Sequence, residues 1–264
     1  MPKSLFNTDM TTDQQISTPH ILVTGATSGL GREMSLQLAA RGEQIIASGR
    51  RKERLAKLET QLGITGHQLD LASSADINAL CETLPPLSGV ILNAGVTFTD
   101  PFLSGDFDTD AALIQTNVLA NVQLIRRLLP TLKQNQGRIL IIASLGGLTP
   151  LPYQSVYAGS KAFMINFGLS LREELKHENV KVGVFAPGGI KTEMTDIPSM
   201  KALEKDLAPV ADVAAAALKA YDKMPALTVP GAQNKLIAGL SKIAPRSLLA
   251  AQTEKIYRKA REKS

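Results

Sequence analysis

The sequence has a single cysteine, Cys81, only three histidines, and no apolar run near the length of a membrane-spanning helix. One thiol excludes an internal disulfide and a cysteine metal cluster, and such a count fits a reducing compartment. His20, His67 and His177 are scattered and show no metal-ligand spacing, so they read as surface or packing residues and no metal is expected. A membrane span needs roughly 20 apolar residues. The longest run here, "ILIIASLGGL" from Ile139, suits a buried strand instead. Residues 1–19 lack the apolar core of a secretory signal and the arginine bias of a transit peptide. They read as a flexible extension of a cytoplasmic protein.

Net positive charge is confined to one stretch. The net charge is +5, yet residues 235–264 hold eight Lys or Arg against two Glu, which leaves the remainder close to −1. The body is therefore no basic surface for nucleic acid. The basic tail has helical periodicity, with Leu248, Leu249, Ile256 and Tyr257 among its apolar residues. Residues 233–264 are thus expected to form a helical extension packed on the same domain, with a charged face in solvent. A peripheral membrane contact is the alternative.

From residue 20 to about 230, short apolar runs alternate with longer helical stretches. "HILVTG", "EQIIASG", "GHQLDL", "SGVILNAG", "GRILIIAS" and "VKVGVFAPGG" read as six strands, and one helix is expected from Thr109 to Leu132. Alternating strand and helix with buried, β-branched strands implies an α/β fold of Rossmann type. Its doubly wound parallel sheet would form a single domain over residues 20–232. Ligands of such sheets sit beyond the strands' carboxyl ends, where the motifs below fall.

"TGATSGLG" joins the first strand to the first helix, with Gly25, Gly29 and Gly31 spaced three-then-one. Gly25 permits a tight turn, Gly29 lets a phosphate approach the backbone, and Gly31 allows close packing. The helix that follows presents N–H groups and its positive dipole end to a pyrophosphate. The second strand ends in Gly49, Arg50 and Arg51, with no acidic residue to hold a ribose 2′-hydroxyl. A guanidinium there grips a 2′-phosphate instead, which points to NADP(H) in preference to NAD(H). Arg51 also reads as the start of a solvated helix. Further along, Tyr157 and Lys161 stand four residues apart, one turn apart on a helix face.

Together these motifs resemble the short-chain dehydrogenase/reductase family, in its compact single-domain form, from about Ile21 to Thr192. "TGATSGLG" resembles that family's TGxxxGxG turn, implying cofactor contacts from Thr24, Gly25, Thr27, Ser28, Gly29, Leu30 and Gly31. "LDL" places Asp70 and Leu71 beside an adenine. "NAG" gives Asn93, Ala94 and Gly95, and "PGGIKT" gives Pro187, Gly188, Ile190 and Thr192, all on the cofactor side. "NVLA" supplies Asn117, "GRILIIAS" ends at Ser144, and "YAGSK" matches the YxxxK motif. Ser144 precedes Tyr157 by the 13 residues usual in the family. Leu92, Ala120 and Ala143 depart from the commonest family residues without touching a reacting group.

The resemblance implies an oxidoreductase that moves a hydride between NADP(H) and a carbonyl or secondary alcohol. Tyr157 acts as general acid/base, Ser144 hydrogen-bonds the reacting oxygen, and Lys161 binds the nicotinamide ribose. Asn117 holds a water that completes a proton relay. The Lys161 ammonium is expected to lower the Tyr157 pKa from its usual ~10. A homodimer or homotetramer is implied by resemblance alone. Cys81 reads as buried filler on a peripheral helix. The substrate is a small molecule whose contacts come from "LGGLTPLPYQ" and from the segment after the sixth strand. There Met194 and Met200 line an apolar wall, and Lys191, Lys201 or Lys205 meets a carboxylate if the substrate is a 3-hydroxy acid. The alternatives are that NADP-dependent 3-hydroxy-acid dehydrogenase and a catalytically silent NADP-binding sensor.

Overall fold

The chain forms strands β1 (His20–Thr24), β2 (Ile45–Gly49), β3 (Thr65–Gln68), β4 (Leu87–Leu92), β5 (Arg138–Ile142), β6 (Lys181–Phe185) and β7 (Leu227–Thr228). The computed structural model describes residues 19–196, 204 and 207–262. The extension expected over residues 1–19 therefore lies outside the described residues except for Pro19, and so do Met200, Lys201 and Lys205. All seven strands run parallel in one sheet, in the order β3-β2-β1-β4-β5-β6-β7. The helices are α1 (Gly29–Ala40), α2 (Lys52–Leu62), α3 (Ser74–Thr83), α4 (Phe107–Ile114), α5 (Ala120–Gln134), α6 (Ser155–Glu174), α7 (Val210–Lys223), α8 (Ala232–Ile243) and α9 (Arg246–Arg261).

Strand side chains alternate between two cores, as the period of two requires. Leu22, Val90, Ile139 and Ile141 face one side with buried residues of α3, α5 and α6. Ile21, Val23, Ile91, Leu140 and Ile142 face the other with α1, α2 and α7. Burial of each such Leu or Ile contributes roughly 1.5–3 kcal/mol, so the sheet is a stiff base for whatever projects from its ends. The strand order reverses between β1 and β4, which opens a crevice at their carboxyl ends.

Three elements differ from the sequence reading. A seventh strand, β7, pairs Leu227 and Thr228 with Val184 and Phe185. Two residues between Pro225 and Pro230 are too few to show any period. The helix expected over 109–132 starts at Phe107, where the Asp106 side chain accepts from the Thr109 N–H at 3.0 Å. It is then interrupted by a π-helical turn, Gln115–Leu119. Finally, the C-terminal extension is two helices, α8 and α9, parted at Ala244–Pro245. Along α9 the face toward the body carries Leu249, Thr253, Tyr257 and the buried Ala260, whereas Leu248 and Ile256 are half exposed. Among the described residues no helix is long and apolar enough to cross a membrane.

Candidate active site

The first strand-to-helix turn depends on backbone that only glycine supplies easily. Gly25 has φ +69°, and a Cβ there would lie 2.9 Å from the Ala94 Cα. Gly29 has φ +51° and faces the Thr192 side chain. Ser28, the residue before α1, makes no side-chain cap, so the first N–H groups of that helix are open to the crevice. Thr24 and Gly31 do not line the crevice. The buried Thr24 hydroxyl accepts from the N–H groups of Asn93 and Ala94, at 3.0 and 3.1 Å, and so ties β1 to the end of β4. Gly31 lets Asn93 Nδ2 and the Gly25 carbonyl come within 2.4 Å of where a Cβ would stand. Both residues shape the turn from behind.

A cavity of about 390 Å³ runs from this turn across the carboxyl ends of the strands. At one end lie Arg50, Arg51, Asp70 and Leu71; Gly25, Thr27, Ser28, Gly29 and Leu30 form its floor; Asn93, Ala94, Gly95, Pro187, Gly188, Ile190 and Thr192 form its flanks. These positions are scattered over residues 25–192, and the sheet brings them onto one surface. Arg51 is engaged: Glu193, just beyond β6, accepts from Arg51 at 2.8 Å and from Arg54 at 2.6 Å. Those two guanidinium groups hold the Glu193 carboxyl below its usual range. Arg50 has no ion-pair partner among the described residues and is the cation this end presents to an anion.

At the other end stand Ser144, Tyr157 and Lys161. Ser144 follows β5 and its Oγ accepts from the Gly146 N–H at 3.1 Å, fixing a tight 3-10 turn, Leu145–Gly147. That turn lies against α6 so closely that a Cβ on Gly147 would be 2.6 Å from the Lys161 carbonyl carbon. The contact brings Ser144 to Tyr157, and the two hydroxyls hydrogen-bond. The Lys161 Nζ donates to the Ile142 carbonyl at 3.0 Å and lies 5.9 Å from the centre of the Tyr157 ring. Gly95 leaves room for this ammonium, since its Cβ would be 3.4 Å from Nζ.

Burial governs the protons here. It pushes the Lys161 ammonium down to about 8 from 10.5. It pushes the Tyr157 phenol up, against the opposing effect of the Ser144 hydrogen bond. In the protein by itself, burial thus works against the lowering of the tyrosine expected from Lys161. Asn117 lies behind the cavity wall in the π turn. Its Oδ1 accepts from the Val96 N–H at 2.8 Å, and its Nδ2 donates to the Val96 carbonyl at 2.9 Å and to Ser160 Oγ at 3.2 Å. Widening the turn lets this buried side chain reach both.

Beyond Tyr157 the cavity is bounded partly by the "LGGLTPLPYQ" segment expected to meet substrate, through Thr149, Leu151 and Gln154. The rest of this end is Val96, Thr97, Thr99 and, from α9, Tyr257, which sequence reasoning did not single out as site residues. Gln154 donates to Thr99 Oγ1 at 2.7 Å, which stiffens the wall. The available signal for Tyr257 was its place on the inward stripe of the last helix; nothing in sequence ties it to a tyrosine 100 positions earlier. Met194 reaches the cavity as expected of it, half exposed. Lys191 pairs instead with Glu204 at 2.7 Å on the surface. Cys81, on α3, is half-buried and burial pushes its thiol up. No cluster of metal-ligating side chains exists among the described residues.

Comparison with known proteins agrees with this geometry. The family described as short chain dehydrogenase matches residues 19–202. Dehydrogenase/reductase SDR family member 7B of Bos taurus is 31% identical over 191 residues, covering 66% of this chain and 59% of that protein's length. Among solved structures, the closed form of serine dehydrogenase complexed with NADP+ is 28% identical with TM-score 0.74, over 80% of this chain and 93% of that one. A short-chain dehydrogenase from Burkholderia cenocepacia J2315 in complex with NADP is 26% identical with TM-score 0.79, over 89% and 97%. The strand order, the glycine turn and the Ser144–Tyr157–Lys161 cluster thus have the family match to stand beside, and this chain belongs to the short-chain dehydrogenase family.

Proposed function

We propose that the protein is an NADP(H)-dependent oxidoreductase that interconverts a carbonyl compound and a secondary alcohol. The observation that carries this reading is the convergence of Ser144, Tyr157 and Lys161 on one cavity with the glycine turn and Arg50. The residues present fit a dinucleotide: Gly25 and Gly29 clear a path for phosphates, the α1 terminus offers donors, and Arg50 offers a cation. Gly25, Thr27, Ser28, Gly29 and Leu30 hold the pyrophosphate. Asp70 and Leu71 flank the adenine, and Asn93 to Gly95 with Pro187, Gly188, Ile190 and Thr192 enclose the remainder. Arg50 favours a 2′-phosphate and so NADP(H) over NAD(H), in keeping with the NADP in both neighbouring structures. The cofactor, when bound, supplies or accepts the hydride.

Lys161 binds the ribose from its place on α6. Ser144 donates to the substrate oxygen, and Tyr157 gives that oxygen its proton as negative charge develops. Burial pushes the Tyr157 phenol up, so the free site holds the proton that reduction consumes. Asn117 fixes the loop at Val96, beyond β4, and would complete the proton path to solvent through a held water. A cytoplasmic homodimer or homotetramer belongs to the same proposal.

The test is NADPH consumption over a panel of aldehydes, ketones and keto acids, with Tyr157→Phe run beside the native protein. The variant keeps the ring and loses the proton, so turnover is expected to fall by about 10²-fold or more. Full turnover by Tyr157→Phe refutes the mechanism. A hydroxy-acid substrate is the second reading, favoured by the likeness to serine dehydrogenase.

A further inference from the structure

The family match ends at residue 202, yet the substrate end of the cavity is closed by α9, more than forty residues later. Three contacts hold that helix down. Thr253 Oγ1 donates to the Pro150 carbonyl at 3.0 Å, the Tyr153 hydroxyl donates to Glu254 at 2.8 Å, and Arg261 donates to the Thr99 carbonyl at 3.0 Å. The Arg261 guanidinium also lies over the Tyr153 ring, 5.2 Å from its centre. Pro150, Tyr153 and Thr99 belong to the loops beside Ser144 and Tyr157, so α9 is fastened to the substrate side of the site. Its inward stripe puts Tyr257 into the cavity wall.

Tyr257 is half-buried, and its hydroxyl has no hydrogen-bond partner among the described residues. Burial pushes its pKa up, and Tyr157 and Tyr257 line the same cavity. A partly buried phenol usually finds a partner. The surroundings restrict what that partner is. Val96, Thr97, Thr99, Thr149, Leu151 and Gln154 are uncharged. On α9, Arg258 pairs with Glu254 and Glu262, and Arg261 donates to the Thr99 carbonyl. The lining of this end thus offers a carboxylate no charged side chain, and an unpaired buried charge is costly.

We infer that Tyr257 is a specificity-determining residue, which hydrogen-bonds a second oxygen of a neutral, largely apolar carbonyl substrate and makes α9 the wall that selects it. This rests on the proposed reductase reading and deepens it, favouring uncharged hydroxyketones and diketones over keto acids.

The test uses the full chain with NADPH and compares acetophenone with its 2-hydroxy and 4′-hydroxy derivatives, and with benzoylformate as the keto acid. The expected result is better use of a hydroxylated ketone than of acetophenone, and of either than of benzoylformate. In Tyr257→Phe the hydroxylated-to-plain ratio of kcat/KM should drop about 5- to 10-fold, the scale of one hydrogen bond, with the change in KM. Ile256→Ala, on the solvent side of the same helix, should keep the native ratio. An unchanged ratio in Tyr257→Phe, or preferential use of benzoylformate, overturns the inference. If native protein oxidises NADPH with none of these compounds, the reductase reading fails for this substrate class, and calorimetric titration of the same ketones into NADP+-saturated protein decides the inference separately. Binding of a hydroxylated ketone that Tyr257→Phe weakens supports it; no binding, or equal binding by both proteins, overturns it.

Discussion

Lys161 is a charged group that the fold buries at a cost, and that cost can be measured. Its pKa falls from 10.5 in the open chain to about 8 in the folded protein, because burial disfavours the ammonium. At 1.36 kcal/mol per unit, the folded state loses about 3 kcal/mol at pH 7 relative to an unburied lysine. The charged hydrogen bond to the Ile142 carbonyl offsets about 1.5–3 kcal/mol of that. Replacing Lys161 by Met, of similar length and apolar, should therefore abolish turnover yet stabilise the fold by up to about 2 kcal/mol. For a chain of this size that is a rise in Tm of up to roughly 8 °C. The pH dependence gives the sign. Below pH 8 both states of the native protein hold the proton and the whole penalty applies. Between pH 8 and 10.5 the folded state sheds its proton first, so native stability rises. The advantage of Lys161→Met should hence be largest at pH 7 and shrink steadily to pH 10. Thermal unfolding followed by circular dichroism at pH 7, 8.5 and 10 measures it. A variant less stable than native at pH 7, with a gap that ignores pH, would refute the reasoning.

Asn117→Ala removes the partner of both Val96 backbone groups and of Ser160. Two part-buried groups left unpaired cost at most about 1–3 kcal/mol each, so denaturant unfolding should show a loss of roughly 1–4 kcal/mol; a loss under about 0.5 kcal/mol would mean the side chain is not holding that segment. Arg50→Asp should shift cofactor choice toward NADH by at least tenfold in the ratio of kcat/KM values, and an unchanged ratio would remove Arg50 from the 2′-phosphate.

How much was readable in advance depended on chain distance. Most of the sheet was legible because β1, β2, β4, β5 and β6 each carry an apolar run. By contrast β3, Thr65–Gln68, has no apolar residue of its own and was read from the Leu69 and Leu71 that follow it, and β7 has only two residues. Ser144, Tyr157 and the glycine turn were legible because their spacing is local to single strand-to-helix connections. The Asn117 break was not, because a π turn arises from reach to Val96, twenty-one positions away. Neither was the raised Tyr157 pKa, since burial is set by every element around it. Glu193 was missed for a similar reason: its bonds to Arg51 and Arg54 cross about 140 residues of sequence.

The fastening of α9 to Thr99, Pro150 and Tyr153 also fixes an order of events at the ribosome. The sheet is complete once β7 has emerged, at Thr228, and a chain made to that point already holds Ser144, Tyr157 and Lys161 on their elements. Residues 229–262 follow over roughly 2–7 s at ordinary synthesis rates. During that interval the nascent protein has a finished floor and an open side, so its cleft is exposed to any apolar compound or chaperone that fits it.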